Sequence, residues 1–152
     1  MHAYFLQDTL TRVFRTLDLL AARNERVSFQ ACWRNDTADL VERVVEVSSD
    51  SGFRAVVRRV GYVPLPHFTR STDPSELDGA GHLPGMVPDP LFNESLQSLG
   101  PFETGAFRVD LYVPEDARPG AHEIEVRFMD SENVEDRMTV TLNVSPFVVR
   151  PR

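Results

Sequence analysis

The sequence predicts an all-β fold: an antiparallel sandwich, immunoglobulin-like or jelly-roll-like, of about seven to nine strands with one long Pro/Gly-rich loop. Three observations carry this expectation. Three successive segments between Gly105 and Val144 alternate apolar and polar residues. Clusters of turn formers, Pro114–Gly120 and Asp130–Asp136, separate those segments. Upstream, Val41–Val47 and Phe53–Val63 are rich in β-branched valine, which packs well on a pleated surface.

The three C-terminal segments are the clearest. Phe107, Val109, Leu111 and Val113 fall on one side of an extended chain, with Arg108, Asp110 and Tyr112 on the other. Pro114 and Pro119 lack a backbone donor and Gly120 tolerates positive φ, so the ladder breaks there. It resumes with His122, Ile124, Val126 and Phe128, and again with Met138, Val140, Leu142 and Val144. Three amphipathic strands need a second layer over their apolar face, which argues for a sandwich.

Toward the N-terminus, residues 3–22 are ambiguous. Leu6, Leu10, Val13, Leu17 and Leu20 are spaced as on a helix, and extended pieces are the competing reading. Val27–Trp33 alternates, with Trp33 inside or at an edge. From 64 to 104 the period is lost among prolines and glycines, which predicts one long excursion with a short helical turn at Glu94–Leu99. Leu91, Phe92, Leu96, Leu99 and Phe102 are its expected apolar anchors. The whole chain, 1–152, reads as a single domain, with 146–152 as a linker.

Composition narrows the function more than it defines it. A formal charge of -7, with the arginines scattered, argues against nucleic acid and against an anionic membrane. No apolar run reaches membrane-spanning length, and no secretion signal is legible, which favours a cytoplasmic location. The lone Cys32 reads as a core residue rather than a reactive one.

The histidines (His2, His67, His82, His122) lack metal-ligand spacing. A cation held by His67, His82, Asp73, Glu76, Asp78 and Asp89 is outweighed by a solvated acidic loop, so no cofactor is expected. Glu123 and Glu125 read as an exposed strand face rather than as a glycosidase pair. No serine or cysteine can be matched to a base from spacing alone, and His122 reads as a rim residue. Tyr62 and Tyr112 are the candidates for stacking on a sugar. Asn35-Asp-Thr37 and Asn93-Glu-Ser95 match the glycosylation pattern, which is frequent by chance.

Three blocks carry a resemblance. Leu20-Ala-Ala-Arg-Asn-Glu-Arg-Val-Ser-Phe-Gln30, Met86-Val-Pro-Asp-Pro-Leu91 and Phe107–Gly120 with its Val-Pro-Glu-Asp-Ala-Arg-Pro-Gly end resemble, in order, the N-terminal β-sandwich of glycoside hydrolase family 123-like proteins. These are proteins with a domain of unknown function 4091. Pro146–Pro151 resembles the strand that leads on to their catalytic barrel. The resemblance implies that Leu17–Ala22 is extended, and that the catalytic acids lie in the barrel, so that no catalytic residue is expected in this chain. It implies a non-catalytic structural partner of that barrel in a protein acting on N-acetylhexosaminides, with a carbohydrate-binding module as the alternative. The interface with the barrel is then expected at His67, Asp89, Pro90, Leu91 and Phe92, with the tip of the loop, Thr72–Gly85, near the barrel's mouth.

Overall fold

A computed structural model describes residues 5–6, 8–10, 15–67, 71, 73, 84–130 and 133–150. Nine strands follow one another: β1 (Thr16–Arg23), β2 (Glu25–Arg34), β3 (Val41–Ser49), β4 (Arg54–Leu65), β5 (Gly85–Phe92), β6 (Leu96–Leu99), β7 (Thr104–Val113), β8 (Gly120–Asp130) and β9 (Asn133–Val148). They form two sheets, ordered β1-β9-β8-β3-β6 and β2-β7-β4-β5. Every pairing is antiparallel except β1 with β9. No helix occurs among the described residues.

The core lies where the alternation places it. Phe107, Val109, Leu111 and Val113 face Ile124, Val126, Phe128, Val140, Leu142 and Val144 across the layers, and all are buried. Phe29, Ala31 and Trp33 complete the layer from β2, and Val45 contributes from β3. Trp33 is inside. His122 is also buried on this inner register, with its ring 4.8 Å from that of Phe53, so it is not a rim residue. Cys32 alternates with Ala31 and Trp33 and stands opposite Ala106, on the outer face of its sheet rather than in the core. Burial pushes its thiol up to about 12, which leaves it inert as a nucleophile.

Several expectations are corrected. The segment 64–104 is not one excursion: β4 runs to Leu65, and β5 and β6 follow. Pro88 and Pro90 masked the strand signal. Both lie in an edge strand, and the register slips between Val60 and Tyr62, so missing donors cost little there. The predicted helical turn at Glu94–Leu99 is instead the edge strand β6, paired with β3 from Val41 to Val44. Of the expected anchors only Leu99 is buried; Leu91, Phe92, Leu96 and Phe102 are 43, 41, 45 and 55% exposed. The ambiguity at 3–22 resolves to strand for Thr16–Arg23. Residues 146–148 belong to β9 rather than to a linker. The expected loop tip lies almost wholly outside the described residues, as do His82, Glu76 and Asp78 of the cation reading.

Both open sides of the sandwich are closed by a chain that changes layer. β1 passes to β2 through Asn24, whose φ of 60° makes the corner in a conformation that asparagine tolerates. β5 passes to β6 through Asn93–Ser95, where the Ser95 carbonyl accepts from Val45 N and the Glu94 carbonyl from Arg59 N. At one end, Asn35 ties the β2–β3 turn to the β6–β7 turn. Its Nδ2 donates to the carbonyls of Asp39, Leu99 and Gly100 (2.7, 3.2 and 2.9 Å), and its Oδ1 accepts from Thr37 N and Oγ1. This buried amide is fully engaged and is no glycosylation acceptor in the folded chain.

Replacing Asn35 with alanine strands those carbonyls and frees both turns. Asn35→Ala is expected to lower stability by about 2–3 kcal/mol, read as a reduced urea midpoint at unchanged slope.

Candidate functional site

The outer face of the sheet β2-β7-β4 carries a charge network centred on a buried acid. In register across the three strands stand Arg26, Tyr112 and Arg54, then Ser28, Asp110 and Val56, then Gln30, Arg108 and Arg58, then Cys32 and Ala106. Asp110 is 1% exposed although it points away from the core. It is covered by its partners: Ser28 Oγ donates to Oδ1 at 2.5 Å, Arg108 Nε donates to Oδ1 at 3.0 Å, and Arg58 Nη1 pairs with Oδ2. Arg108 Nη2 also donates to Ser28 Oγ at 3.0 Å, and Arg58 Nε to Asn93 Oδ1 at 3.0 Å.

The register explains why an acid is needed here. Arg58 and Arg108 are directly opposite on neighbouring strands, a like-charge pair that destabilises a sheet. Asp110, next on the same face, offsets both. Burial pushes its carboxyl up, but the hydrogen bonds from Ser28 and Arg108 and the charges of Arg108 and Arg58 outweigh this and hold it below the ordinary aspartate value.

The two candidate stacking residues do not share a platform. Tyr112 is level with Arg54, whose guanidinium lies over its ring at 5.0 Å. Tyr62 is eight positions farther along β4, so the two are ~26 Å apart at ~3.3 Å per residue. The Tyr62 hydroxyl donates to the Thr104 carbonyl at 3.0 Å, and burial, with Cys32, Asp8 and Glu103 nearby, pushes its pKa up.

The residues expected at an interface divide in two. His67 is exposed just beyond the end of β4. Asp89, Pro90, Leu91 and Phe92 lie in the edge strand β5, with Phe92 over Gly61 and beneath the Arg59 guanidinium (4.4 Å). The exit of β9 is elsewhere. Val149 N donates to the Arg23 carbonyl (2.9 Å), Asn24 Nδ2 to the Val149 carbonyl (2.8 Å) and Arg23 Nη2 to the Pro146 carbonyl (2.8 Å). The Pro114 carbonyl accepts from Asn24 N (3.4 Å) and from Ala117 N (3.1 Å). This corner is at the end of the sandwich opposite His67, on the far side from β5.

Sequence reasoning missed one constellation. Ser51 Oγ lies 2.5 Å from His122 Nδ1, and His122 Nε2 lies 2.6 Å from the Arg118 carbonyl. A carbonyl only accepts, so Nε2 carries a proton; Ser51 Oγ also lies 2.9 Å from Asp50 Oδ1, to which it donates, so its hydroxyl joins His122 and Asp50 in one short chain. This resembles an activated serine, but three donors of its turn are committed: Asp50 N to the Glu123 carbonyl, Gly52 N to the Ser49 carbonyl and Ser51 N to Ser49 Oγ. None of these three is left for an oxyanion, and the pair braces the β3–β4 turn. The partners are 71 residues apart, and no local spacing could have signalled them.

A cleft of about 390 Å³ opens between the ends of the sheets, lined by residues that include Trp33, Arg34, Asp36, Arg43 and Asp136. Its charges are paired, Arg34 with Asp36 (2.9 Å) and Arg43 with Asp130 (3.5 Å). Among the described residues, no three His, Cys, Asp or Glu side chains are placed to hold a metal.

No protein-family model and no curated protein sequence matches the chain. Among solved structures it is similar to a family 123 glycoside hydrolase from Clostridium perfringens, studied for glycolipid glycan hydrolysis, with a TM-score of 0.63 and 12% identity over 91% of this chain. The chain spans about a quarter (24%) of that hydrolase, and at this identity the likeness shows the fold alone. Weaker matches are the N-terminal domain of PorA (TM-score 0.42, 10% identity, 94% of this chain and 96% of that one) and a PapD-like domain of human CEP192 (TM-score 0.45, 10% identity, 88% and 83%).

Asp110→Asn leaves two guanidinium groups facing each other without their acid. The expected loss is about 2–3 kcal/mol at neutral pH, below the range for a fully buried pair because both arginines are partly exposed. Because the folded pKa is depressed, the contribution is complete above the ordinary value of about 3.9 and is lost as pH falls through the folded value. The gap between parent and variant in denaturant titrations therefore closes in acid.

Proposed function

We propose that this chain is a non-catalytic β-sandwich module of a glycoside hydrolase-like protein, with a catalytic barrel of the same polypeptide as its partner. The observation that carries the reading is the fold likeness to the family 123 hydrolase, which takes in 91% of this chain and 24% of that enzyme. The sequence blocks add to it in a physical way. Leu20–Gln30, Phe107–Gly120 and Pro146–Pro151 are far apart in sequence, yet Arg23, Asn24, Pro114, Pro146 and Val149 are hydrogen-bonded to one another in a single corner. A motif that sets the direction in which β9 leaves the sandwich is what a module joined to a second domain requires.

The proposed contact surface is the exposed part of β5 with the end of β4. Val63, Leu65, Leu91 and Phe92 are all more than a third exposed there, with Asp89, Pro90 and His67 alongside. Exposed apolar side chains gathered on one edge mark a contact surface. A partner joined through 146–150 starts beside Arg23 and Asn24, so it reaches β5 only by lying along the length of the sandwich. Phe147 and Val149, exposed next to the corner, are the first apolar surface it meets.

The isolated chain should turn over no aryl N-acetylhexosaminide. A rate abolished by one substitution in this chain would overturn the non-catalytic reading. A gene without a barrel-coding stretch after Arg152 would overturn the partner.

A further inference from the structure

The two faces of the sandwich differ in charge. On the outer face of β1-β9-β8-β3, Asp18, Glu42, Glu46, Glu123 and Glu125 outnumber Arg127 and Arg137, and both arginines are paired: Arg127 with Glu46 at 3.1 Å and Arg137 with Glu125 at 2.9 Å. On the outer face of β2-β7-β4, five guanidinium groups, of which Arg34 is paired with Asp36 beyond the end of β2, stand against the one carboxylate of Asp110 in a chain whose net charge is -7. Arg58 and Arg108 are committed to Asp110. Arg26 and Arg54 are exposed and have no carboxylate partner among the described residues. They flank Tyr112 in one cross-strand row, each one strand spacing (about 4.8 Å) from it.

We propose that the Arg26–Tyr112–Arg54 row is a binding site for an acidic glycan, a sugar chain that carries carboxylate or sulfate groups. Two guanidinium forks on either side of an aromatic ring suit a planar or tetrahedral oxyanion attached to an apolar ring face. Arg54 is held in place by its position over Tyr112. Asp110 keeps the other two arginines drawn to itself, so the anion is directed to this row. The acidic opposite face repels the same ligand, which limits binding to one side. The choice of a glycan over another polyanion rests on the glycoside hydrolase-like reading; the anion site itself rests on the charges and the register.

The test is calorimetric titration of the chain at low salt with a heparin oligosaccharide, a polyuronate oligosaccharide, a neutral N-acetylated oligosaccharide and a short DNA duplex. Binding of heparin alone identifies sulfate as the group recognised, and binding of both acidic sugars shows that carboxylate suffices. Arg26→Gln with Arg54→Gln should weaken that binding at least tenfold, and raised salt should weaken it further. Arg127→Gln with Arg137→Gln, an equal charge change on the opposite sheet, should leave it unchanged. Circular dichroism and urea midpoints confirm that each variant is folded. The proposal is overturned if no acidic glycan binds, if the neutral sugar or DNA binds as tightly, or if the double variant binds like the parent. It is equally overturned if the face proves to be occupied by a second copy of the chain, seen as salt-sensitive self-association lost in the double variant. Each of these results leaves the module reading standing, because that reading fails on the gene downstream and not on this face.

Discussion

Trp33 has a polar nitrogen inside an apolar core, and its partner comes from the other sheet. Trp33 Nε1 donates to Gln97 Oε1 at 2.9 Å, with Trp33 on β2 and Gln97 on β6. Gln97 is itself buried and turns its amide nitrogen toward the Val60 carbonyl at 3.5 Å. It fits only because the residue beneath it is Gly105: a Cβ there would come within 2.2 Å of the same oxygen. The apolar core holds the layers together without direction. This contact sets how they are offset, since a slipped sheet would leave an indole N–H and a primary amide buried without partners.

From that offset follow the positions on which a function depends. Opposite ends of the sandwich become distinct. One carries the Asn35 tie and the approach to His67; the other carries the Arg23–Asn24 corner and the exit of β9. The faces become distinct as well. Strand order brings β2, β7 and β4 together, so arginines from three separate stretches of sequence meet around Asp110 and Tyr112. A protein acidic overall thus presents, among its described residues, two arginines without a carboxylate partner on one face and an excess of acids on the other.

In β7, β8 and β9 the period-two positions from Phe107 to Val144 were legible, and so was the core they form. The turn expected at Asp130–Asp136 is shorter, because β8 runs to Asp130 and β9 starts at Asn133. β5 was not legible, because Pro88 and Pro90 read as loop until an edge position makes them permissible. β6, with four residues, is too short for any period to declare itself. The helical spacing of Leu6, Leu10, Leu17 and Leu20 gave a competing signal that pairing with β9 overrides for Thr16–Arg23. Tyr112 was recognisable as outward-facing, but its flanking arginines were not, since nothing local relates residues 26, 54 and 112. The Ser51–His122 brace and the carboxylate shared by Arg58 and Arg108 were hidden for the same reason.

The most direct measurement is a double-mutant cycle on the link between the sheets, with Trp33→Phe, Gln97→Leu and the pair together, read by urea unfolding. If the link sets the offset of the layers, each single change leaves one buried polar group without its partner, and the double change removes both. The account predicts a coupling of about 1–2 kcal/mol, with the double variant less damaged than the sum of the singles. Strictly additive losses would show that the two side chains act independently, and would contradict the claim that this contact positions one sheet against the other.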